Sequence, residues 1–287
     1  QMKDDLGGLA KKLEITPEEA LMKLKENYDG YHFTSPSPDI YNPFSLLNAF
    51  ADGKFGSYWF GSGTPTYLIK MLNKFGVKPS EIGCKQLKSS VFDAPTETMT
   101  DAVPLLYQSG YITIKDYNKM LDLYTLDIPN KEVRLGLMES LLPYYVNNKT
   151  PEATTMVAYL FYDIQNGDMD AALHRLQEFL STIPYCDNTR FEGHYQQVFY
   201  IIFSLLGYYV DVEVHTPRGR VDIVLRTKTT LYVMELKLDK SAGEAMEQID
   251  LKNYPERFAL CGLPVVKVAV SFDSERCTIG GWEIINA

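Results

Sequence analysis

The segments GRVDIVLR (219–226) and LYVMELKL (231–238) decide the fold of the C-terminal half of this chain. Both are short and rich in Val, Ile, Leu and Tyr, a composition typical of β-strands. The polar TKTT (227–230) between them has the length of a hairpin connection. The two segments are therefore predicted to form a β-hairpin.

The register of this hairpin brings charged residues together. Pairing is expected to begin with Arg226 opposite Leu231, next to the connection. Counting back along both strands then places Asp222 opposite Glu235. Because successive side chains point to opposite faces of a strand, Asp222, Glu235 and Lys237 are predicted to share one face.

Facing carboxylates suggest a bound cation. Asp222 alone is explained as a hydrogen-bonded strand residue, and Glu235 alone as an edge charge. Together they repel each other and destabilise the sheet unless something positive lies between them. A hard divalent cation with oxygen ligands is the expected occupant. Lys237 has two interpretations: an ion-pair partner of the carboxylates, or a functional lysine that stabilises developing negative charge or orients a water.

The composition bounds the class of protein. The chain has 287 residues, 45% hydrophobic and 23% charged, as expected for one large or two ordinary globular domains. Its net charge of −9 argues against a large basic nucleic-acid surface, although a divalent cation would itself attract phosphate. No apolar run approaches the ~20 residues of a membrane span.

The N-terminal segment and the cysteines lead us to expect a cytoplasmic protein. The N-terminal QMKDDLGGLAKKLEI lacks the apolar core of a signal peptide and is typical of a helix interior, so we expect an excised piece of a longer chain. The cysteines form no CxxC pair, which argues against a zinc site and a disulfide framework and favours reduced thiols. They are Cys84, Cys186, Cys261 and Cys277.

The front part of the chain is predicted to be mostly helical. Helices are expected at 17–27 with Thr16 as a cap, from Pro43 to near Gly53, at 64–76 starting at Thr64, at 130–146 capped by Asn130, and as a pair within 151–181 broken at 166–168. After a short helix, YITIKDY and LDLYTLD alternate like a two-stranded hairpin around Asn118-Lys119. A helix followed by such a wing resembles a winged-helix unit.

The back part is predicted to be an α/β core. A helix is expected at 191–206, a strand at 208–214, the hairpin, a helix at about 241–253, a strand at 265–272, and GWEII closing the chain. This order predicts helices packed on a small sheet.

Two further polar residues flank the hairpin. Glu192 lies in the first turn of the 191–206 helix, in line with its apolar stripe, and on its own it is explained as an acidic complement to the helix N-terminus. Gln248, on the following helix, is on its own a surface glutamine. His194 and His215 have no Ser or Cys partner in a triad pattern and are interpreted as structural or rim residues.

The combination of these motifs resembles the PD-(D/E)XK nuclease superfamily, whose αβββαβ core has the predicted order. GRVDIVL followed by YVMELKLDKSAGEAMEQIDLKNYPERF is similar to a branch of predicted bacterial nucleases in which the nuclease-like domain follows an AAA-ATPase-like domain. ENYDGYHF, YNPFSLLNAF, YWFGSGTPTYL and LLYQSGYITI resemble the C-terminal part of that ATPase-like region.

The resemblance implies a domain plan. Residues 1–150 would be the C-terminal part of the ATPase-like region, mostly helical with a winged-helix-like hairpin. Residues 151–190 would be a helical connector, and residues 191–287 a restriction-endonuclease-like domain.

The resemblance also implies site roles. Asp222 and Glu235 would hold Mg²⁺ or Mn²⁺, with the Leu236 carbonyl as an extra ligand and Glu192 contacting the metal or its water. Lys237 would position or help activate the nucleophilic water. Gln248 would support the site. The implied reaction is metal-assisted hydrolysis of a DNA phosphodiester.

Two departures from the family pattern stand out. The nucleotide-binding core of the family, with its phosphate loop, is absent, so this chain is expected to have no ATP site of its own. FGSGTPTY (60–67) resembles a phosphate loop only superficially, because it lacks the Gly-Lys-Ser/Thr ending. Val221 precedes Asp222 where the superfamily name has Pro, a position that commonly varies.

Two alternatives to a nuclease remain at this point. One is a catalytically weak or inactive nuclease-like domain that binds nucleic acid or a partner. The other is a regulatory or oligomerisation module of an ATPase with a vestigial metal site. The expected partners are DNA, the ATPase core of the full-length protein and further copies of the chain, but no membrane.

Overall fold

A computed structural model describes most of the chain. The described residues are 2–61, 65–83, 85–96, 99–146, 150–183, 194–208, 211–215, 220–252, 262–276 and 278–286. The chain divides into two compact units, Gln1–Ser140 and Leu141–Ala287. Each unit has its own sheet.

The first unit is largely helical. Its helices are α1 (Met2–Leu13), α2 (Pro17–Tyr28), α3 (Pro43–Asp52), α4 (Tyr58–Gly61), α5 (Thr66–Lys74), α6 (Ser89–Phe92), α7 (Val103–Gln108) and the start of α8 (Lys131–Tyr145). Within the described residues, no helix is both long and apolar enough to cross a bilayer.

Side-chain caps fix several of these helix starts. Thr16 caps α2 in a capping box with Glu19, and the Asn130 side chain accepts a hydrogen bond from the Val133 amide at the start of α8. Both predicted caps are confirmed. Helix α5 begins at Thr66 with Pro65 as its N-cap, slightly inside the predicted range of 64–76.

A three-stranded antiparallel sheet completes the first unit. Its strands are β1 (Lys85–Leu87), β2 (Thr113–Asn118) and β3 (Leu123–Asp127), in the order β1-β3-β2. The predicted hairpin is confirmed as β2 and β3, and its turn covers residues 119–122. Strand β1 was not predicted, since three residues are too few to show alternation.

The second unit is an α/β domain. Its elements are the end of α8, then α9 (Thr150–Gln165), α10 (Met169–Ser181), α11 (His194–Leu205), β4 (Asp211–His215), β5 (Arg220–Arg226), β6 (Leu231–Leu238), α12 (Ala242–Leu251), β7 (Val265–Asp273) and β8 (Thr278–Asn286). The series from α11 to β7 has the predicted αβββαβ order. The fold class is therefore confirmed, with β8 as an additional strand.

The five strands form one sheet in the order β4-β5-β6-β7-β8. Strands β6 and β7 are parallel, and the other neighbours are antiparallel. Two parallel strands need a crossover connection, and the crossover from β6 to β7 contains α12. The crossover brings α12 across the two central strands of the sheet.

Helices cover both faces of this sheet. On one face, α11 contacts β7 through an edge-to-face pair between Phe199 and Phe272, at 5.4 Å between ring centroids. On the other face, α12 packs through Ala245 and Ile249 against Val233 of β6. Residues that alternate with Val233 on β6 therefore point toward α12.

Candidate metal centre

The hairpin has the predicted register. Arg226 pairs with Leu231 and Asp222 with Glu235. Glu235 and Lys237 share the face of β6 that carries Val233, so the acidic pair lies on the α12 side of the sheet. The central prediction about local structure is confirmed.

Both carboxylates are buried. Asp222 is 7% exposed and Glu235 is 0% exposed. Burial raises the pKa of Glu235, and the negative charge of Asp222 raises it further, while hydrogen bonding from Lys252 opposes both effects. Placing two acidic groups in this low-dielectric position requires a positive charge close by.

Lys252 provides that positive charge. Its Nζ lies 2.6 Å from Oδ2 of Asp222 and 2.8 Å from Oε2 of Glu235, so one ammonium bridges the pair. Burial lowers the pKa of Lys252, but the hydrogen bonds with both carboxylates outweigh it and the pKa is raised overall. The lysine is therefore held in its charged form.

The position of Lys252 follows from the construction of α12. Ser241 caps the helix in a capping box with Glu244, and Ala245 and Ile249 fix the helix on the sheet. Lys252 is the residue directly after the helix, where its amide donates to the Gln248 carbonyl. Its long side chain reaches back from there to β5 and β6.

Lys237 makes a different contact. Its Nζ donates a hydrogen bond of 3.0 Å to the backbone carbonyl of Glu244, in the first turn of α12. The expectation that a lysine pairs with the two carboxylates is thus met by Lys252. Lys237 lies on the same face of the sheet, half-buried, and links β6 to α12.

The other predicted site residues have varied outcomes. Gln248 is half-buried and lies one helical turn before Lys252, on the same side of α12. Glu192 and all four cysteines lie outside the described residues. His194 stacks on Tyr145 at 5.5 Å, and burial lowers its pKa. His215 is exposed.

The donor set suits a hard divalent cation. Asp222 and Glu235 present oxygens within reach of one shared cation, as the Lys252 ammonium shows. Carboxylate oxygens are the ligands that Mg²⁺ and Mn²⁺ prefer. In the described part of the chain, no group of three or more His, Cys, Asp or Glu side chains could hold a metal.

Sequence reasoning overlooked Lys252 as a site residue. It comes fifteen residues after Lys237, outside the residues to which the resemblance assigns a role. The four-residue spacing from Gln248 was the available signal, because it puts both residues on the sheet-facing side of one helix end.

Comparison with known protein families finds a match in the C-terminal part of the chain. Residues 190–282 match the family model described as the PD-(D/E)XK nuclease superfamily. The chain therefore carries a PD-(D/E)XK nuclease superfamily domain in this segment. The comparisons do not support the predicted AAA-ATPase-like region that would precede it.

One curated relative is similar over most of the chain. It is described as "Uncharacterized protein in vnfD 5′ region" from Azotobacter chroococcum mcd 1, and it is 31% identical over 272 residues. The alignment covers 90% of this chain and 51% of the relative. The chain thus spans about half the length of this relative. No solved structure matches the chain.

Proposed function

We propose that the C-terminal domain is a divalent-metal-dependent nuclease that hydrolyses DNA phosphodiester bonds. The observation that carries this proposal is the in-register, buried pair of Asp222 and Glu235, which converge on one cation. Like charges directly opposite each other destabilise a sheet, and buried carboxylates that share one cation are typical of functional sites. The superfamily match supplies the reaction class.

Each site residue has a role in this proposal. Asp222 and Glu235 hold Mg²⁺ or Mn²⁺, with the Leu236 carbonyl and Glu192 as further ligands. When bound, such a metal polarises the phosphate and favours ionisation of the attacking water. Lys237 places a positive charge on the same face of the sheet, where it orients the water or stabilises negative charge. Gln248 supports the site from α12.

The test is DNA cleavage by the intact chain. Linear, nicked and single-stranded DNA are incubated with Mg²⁺ or Mn²⁺, alongside Asp222→Ala and Lys237→Ala. We expect metal-dependent cleavage that both variants lose, and RNA serves as a competing substrate. Lys228→Ala is the matched control, because Lys228 is an exposed residue of the hairpin connection. Cleavage that survives in Asp222→Ala would contradict the proposal.

A second candidate function is a nuclease-like binding module with weak or no turnover. The Lys252 bridge favours it, because this lysine neutralises part of the acidic pair within the protein itself. The net charge of −9 also favours it. Here the chain would bind nucleic acid or a protein partner, and DNA would be retained uncleaved in a gel-shift experiment with Mg²⁺.

We further propose that residues 1–150 are the C-terminal part of an ATPase-like region that includes a winged-helix-like hairpin. Residues 151–190 are then a helical connector, and residues 191–287 are the nuclease-like domain. We propose a cytoplasmic location for the whole protein. The support is the set of front-half motifs and the greater length of the relative. The chain is then expected to bind no ATP by itself. Light scattering of the intact chain tests whether this region forms homo-oligomers.

A further inference from the structure

The bridging position of Lys252 has consequences for metal binding. Its ammonium contacts Oδ2 of Asp222 and Oε2 of Glu235 at hydrogen-bond distance. These two side chains are the ones the proposed function assigns to the metal. One cation of the protein therefore already lies where the two carboxylates converge.

We propose that Lys252 is a resident counter-ion that competes with the divalent cation, and that its ammonium must withdraw from Asp222 and Glu235 before the metal binds. The inference rests on the proposed metal site and adds a step that precedes it. It makes Lys252 a positioning residue, which keeps the carboxylates together until the metal replaces it.

Charge balance supports the exchange. Two carboxylates and one ammonium carry one net negative charge, which a buried site tolerates when the groups are hydrogen-bonded. Adding a divalent cation while the ammonium stays would place two positive groups side by side in a buried position. Their repulsion is strong there because the local dielectric constant is low. Withdrawal of Lys252 leaves the metal and the carboxylates formally neutral.

The structure allows this withdrawal without undocking α12. Ala245 and Ile249 remain packed on the sheet, and Asp250 of the helix pairs with Lys267 of β7 at 2.8 Å. Lys252 follows the last helical residue, and its side chain is 19% exposed. Rotation about its four-carbon stem would carry the ammonium away from the two carboxylates.

The first test uses the wild-type chain and needs no variant. Lysines are acetylated briefly with and without saturating Mg²⁺, in the absence of DNA, and labelling is read by mass spectrometry. We expect labelling of Lys252 to rise about fivefold or more with metal, as its ammonium is released. Lys267 is the matched control, because its side chain is also 19% exposed and also pairs with an aspartate. Unchanged or reduced labelling of Lys252 would overturn the proposal.

The second test measures metal affinity directly. Mn²⁺ is titrated by calorimetry into the wild type, Lys252→Gln, Lys252→Arg and Lys267→Gln. Removing the competing charge is expected to tighten Mn²⁺ binding about tenfold or more in Lys252→Gln, whereas Lys252→Arg and Lys267→Gln stay near the wild-type value. Equal or weaker binding by a folded Lys252→Gln, or no binding by any of the four proteins, refutes the competition.

Neither test involves DNA, so the result is independent of turnover. Metal binding that Lys252 opposes, combined with no cleavage, would reject the nuclease and keep this inference. Cleavage together with unchanged Lys252 labelling would keep the nuclease and reject the inference.

Discussion

Lys237 and Glu244 are joined across 3.0 Å by a hydrogen bond from the Lys237 ammonium to the Glu244 backbone carbonyl. The side chain of the same glutamate forms an ion pair with Lys240, at 3.4 Å between Nζ of Lys240 and Oε1 of Glu244. Two lysines of neighbouring sequence thus contact one residue of α12, but only Lys237 lies on the face with the carboxylates. Comparing variants of Lys237 and Lys240 therefore separates the structural role of Lys237 from its proposed chemical role.

Replacing Lys237 with Met is expected to lower the free energy of unfolding by about 1 kcal/mol, the net value of one hydrogen bond. If Lys237 also acts on the water or the phosphate, the cleavage rate falls by about 100-fold or more while Mn²⁺ affinity is retained. Urea unfolding, calorimetry and a cleavage assay measure the three quantities. Lys240→Met is the control and should leave stability, Mn²⁺ affinity and cleavage rate nearly unchanged. If Lys240→Met lost as much cleavage as Lys237→Met, a specific chemical role for Lys237 would be contradicted.

Ile249→Ala should destabilise the second unit. Ile249 is 0% exposed and packs between α12 and the central strands, so its truncation removes apolar contacts and leaves a cavity. We expect a loss of about 2–5 kcal/mol in urea unfolding followed by circular dichroism. Leu251→Ala on the same helix, where the side chain is 79% exposed, should change stability by less than about 0.5 kcal/mol. Similar losses in the two variants would mean that α12 does not pack as described.

Gly136→Ala should destabilise the first unit although alanine is the better helix former. A Cβ at Gly136, inside α8, would meet the ring of Phe60. Overpacking of this kind costs about 1–3 kcal/mol. At Gly8 in α1 a Cβ meets nothing within 4 Å, so Gly8→Ala should stabilise the protein by about 0.5–1 kcal/mol. Thermal unfolding of both variants tests this, and a stabilised Gly136→Ala would disprove the Phe60 contact.

His194 should make stability depend on pH. Burial lowers the pKa of His194 below the ordinary value of an imidazole, and a hydrogen bond with the Tyr145 backbone opposes this shift. The unfolded chain therefore takes up a proton before the folded chain does as pH falls. Stability is complete above about pH 6.5 and is lost on acidification toward the folded-state pKa, by at most about 1.4 kcal/mol per pH unit from this group.

The measurement for His194 is the difference in unfolding free energy between wild type and His194→Gln as a function of pH. The difference should be constant from about pH 7.5 to 8.5, where the imidazole is neutral in both states, which serves as the internal control. Below pH 6.5 the wild type should lose stability faster than the variant. Parallel curves across the whole range would show that His194 titrates alike in both states.

The sequence was sufficient to predict the register around Asp222 because three local signals agreed. A polar four-residue connection set the pairing, alternation set the faces, and the apolar neighbours set the burial. Single capping residues predicted the starts of α2 and α8, and Asn166-Gly167-Asp168 predicted the break between α9 and α10. Local patterns of this kind are decided within a few residues, so a single sequence contains them.

The features that the sequence did not reveal depend on contacts between distant segments. Lys252 meets Asp222 only after β5, β6 and α12 have assembled, and no local pattern reports which lysine reaches which carboxylate. Strand β1 exists because Lys85 pairs with Leu126 on β3. Three residues gain strand geometry there from a partner far along the chain, so their own composition was uninformative.

The parallel pairing of β6 with β7 also determines how the charged centre forms in time. Because α12 lies within the crossover between these strands, Asp222 and Lys252 are only 30 positions apart in the chain. Closing a loop of this length has a modest entropic cost. We therefore expect this contact to form early in folding. We expect Lys252 to contact Asp222 and Glu235 once the hairpin and α12 have packed together. The two negative charges are then partly neutralised before β8 joins the sheet.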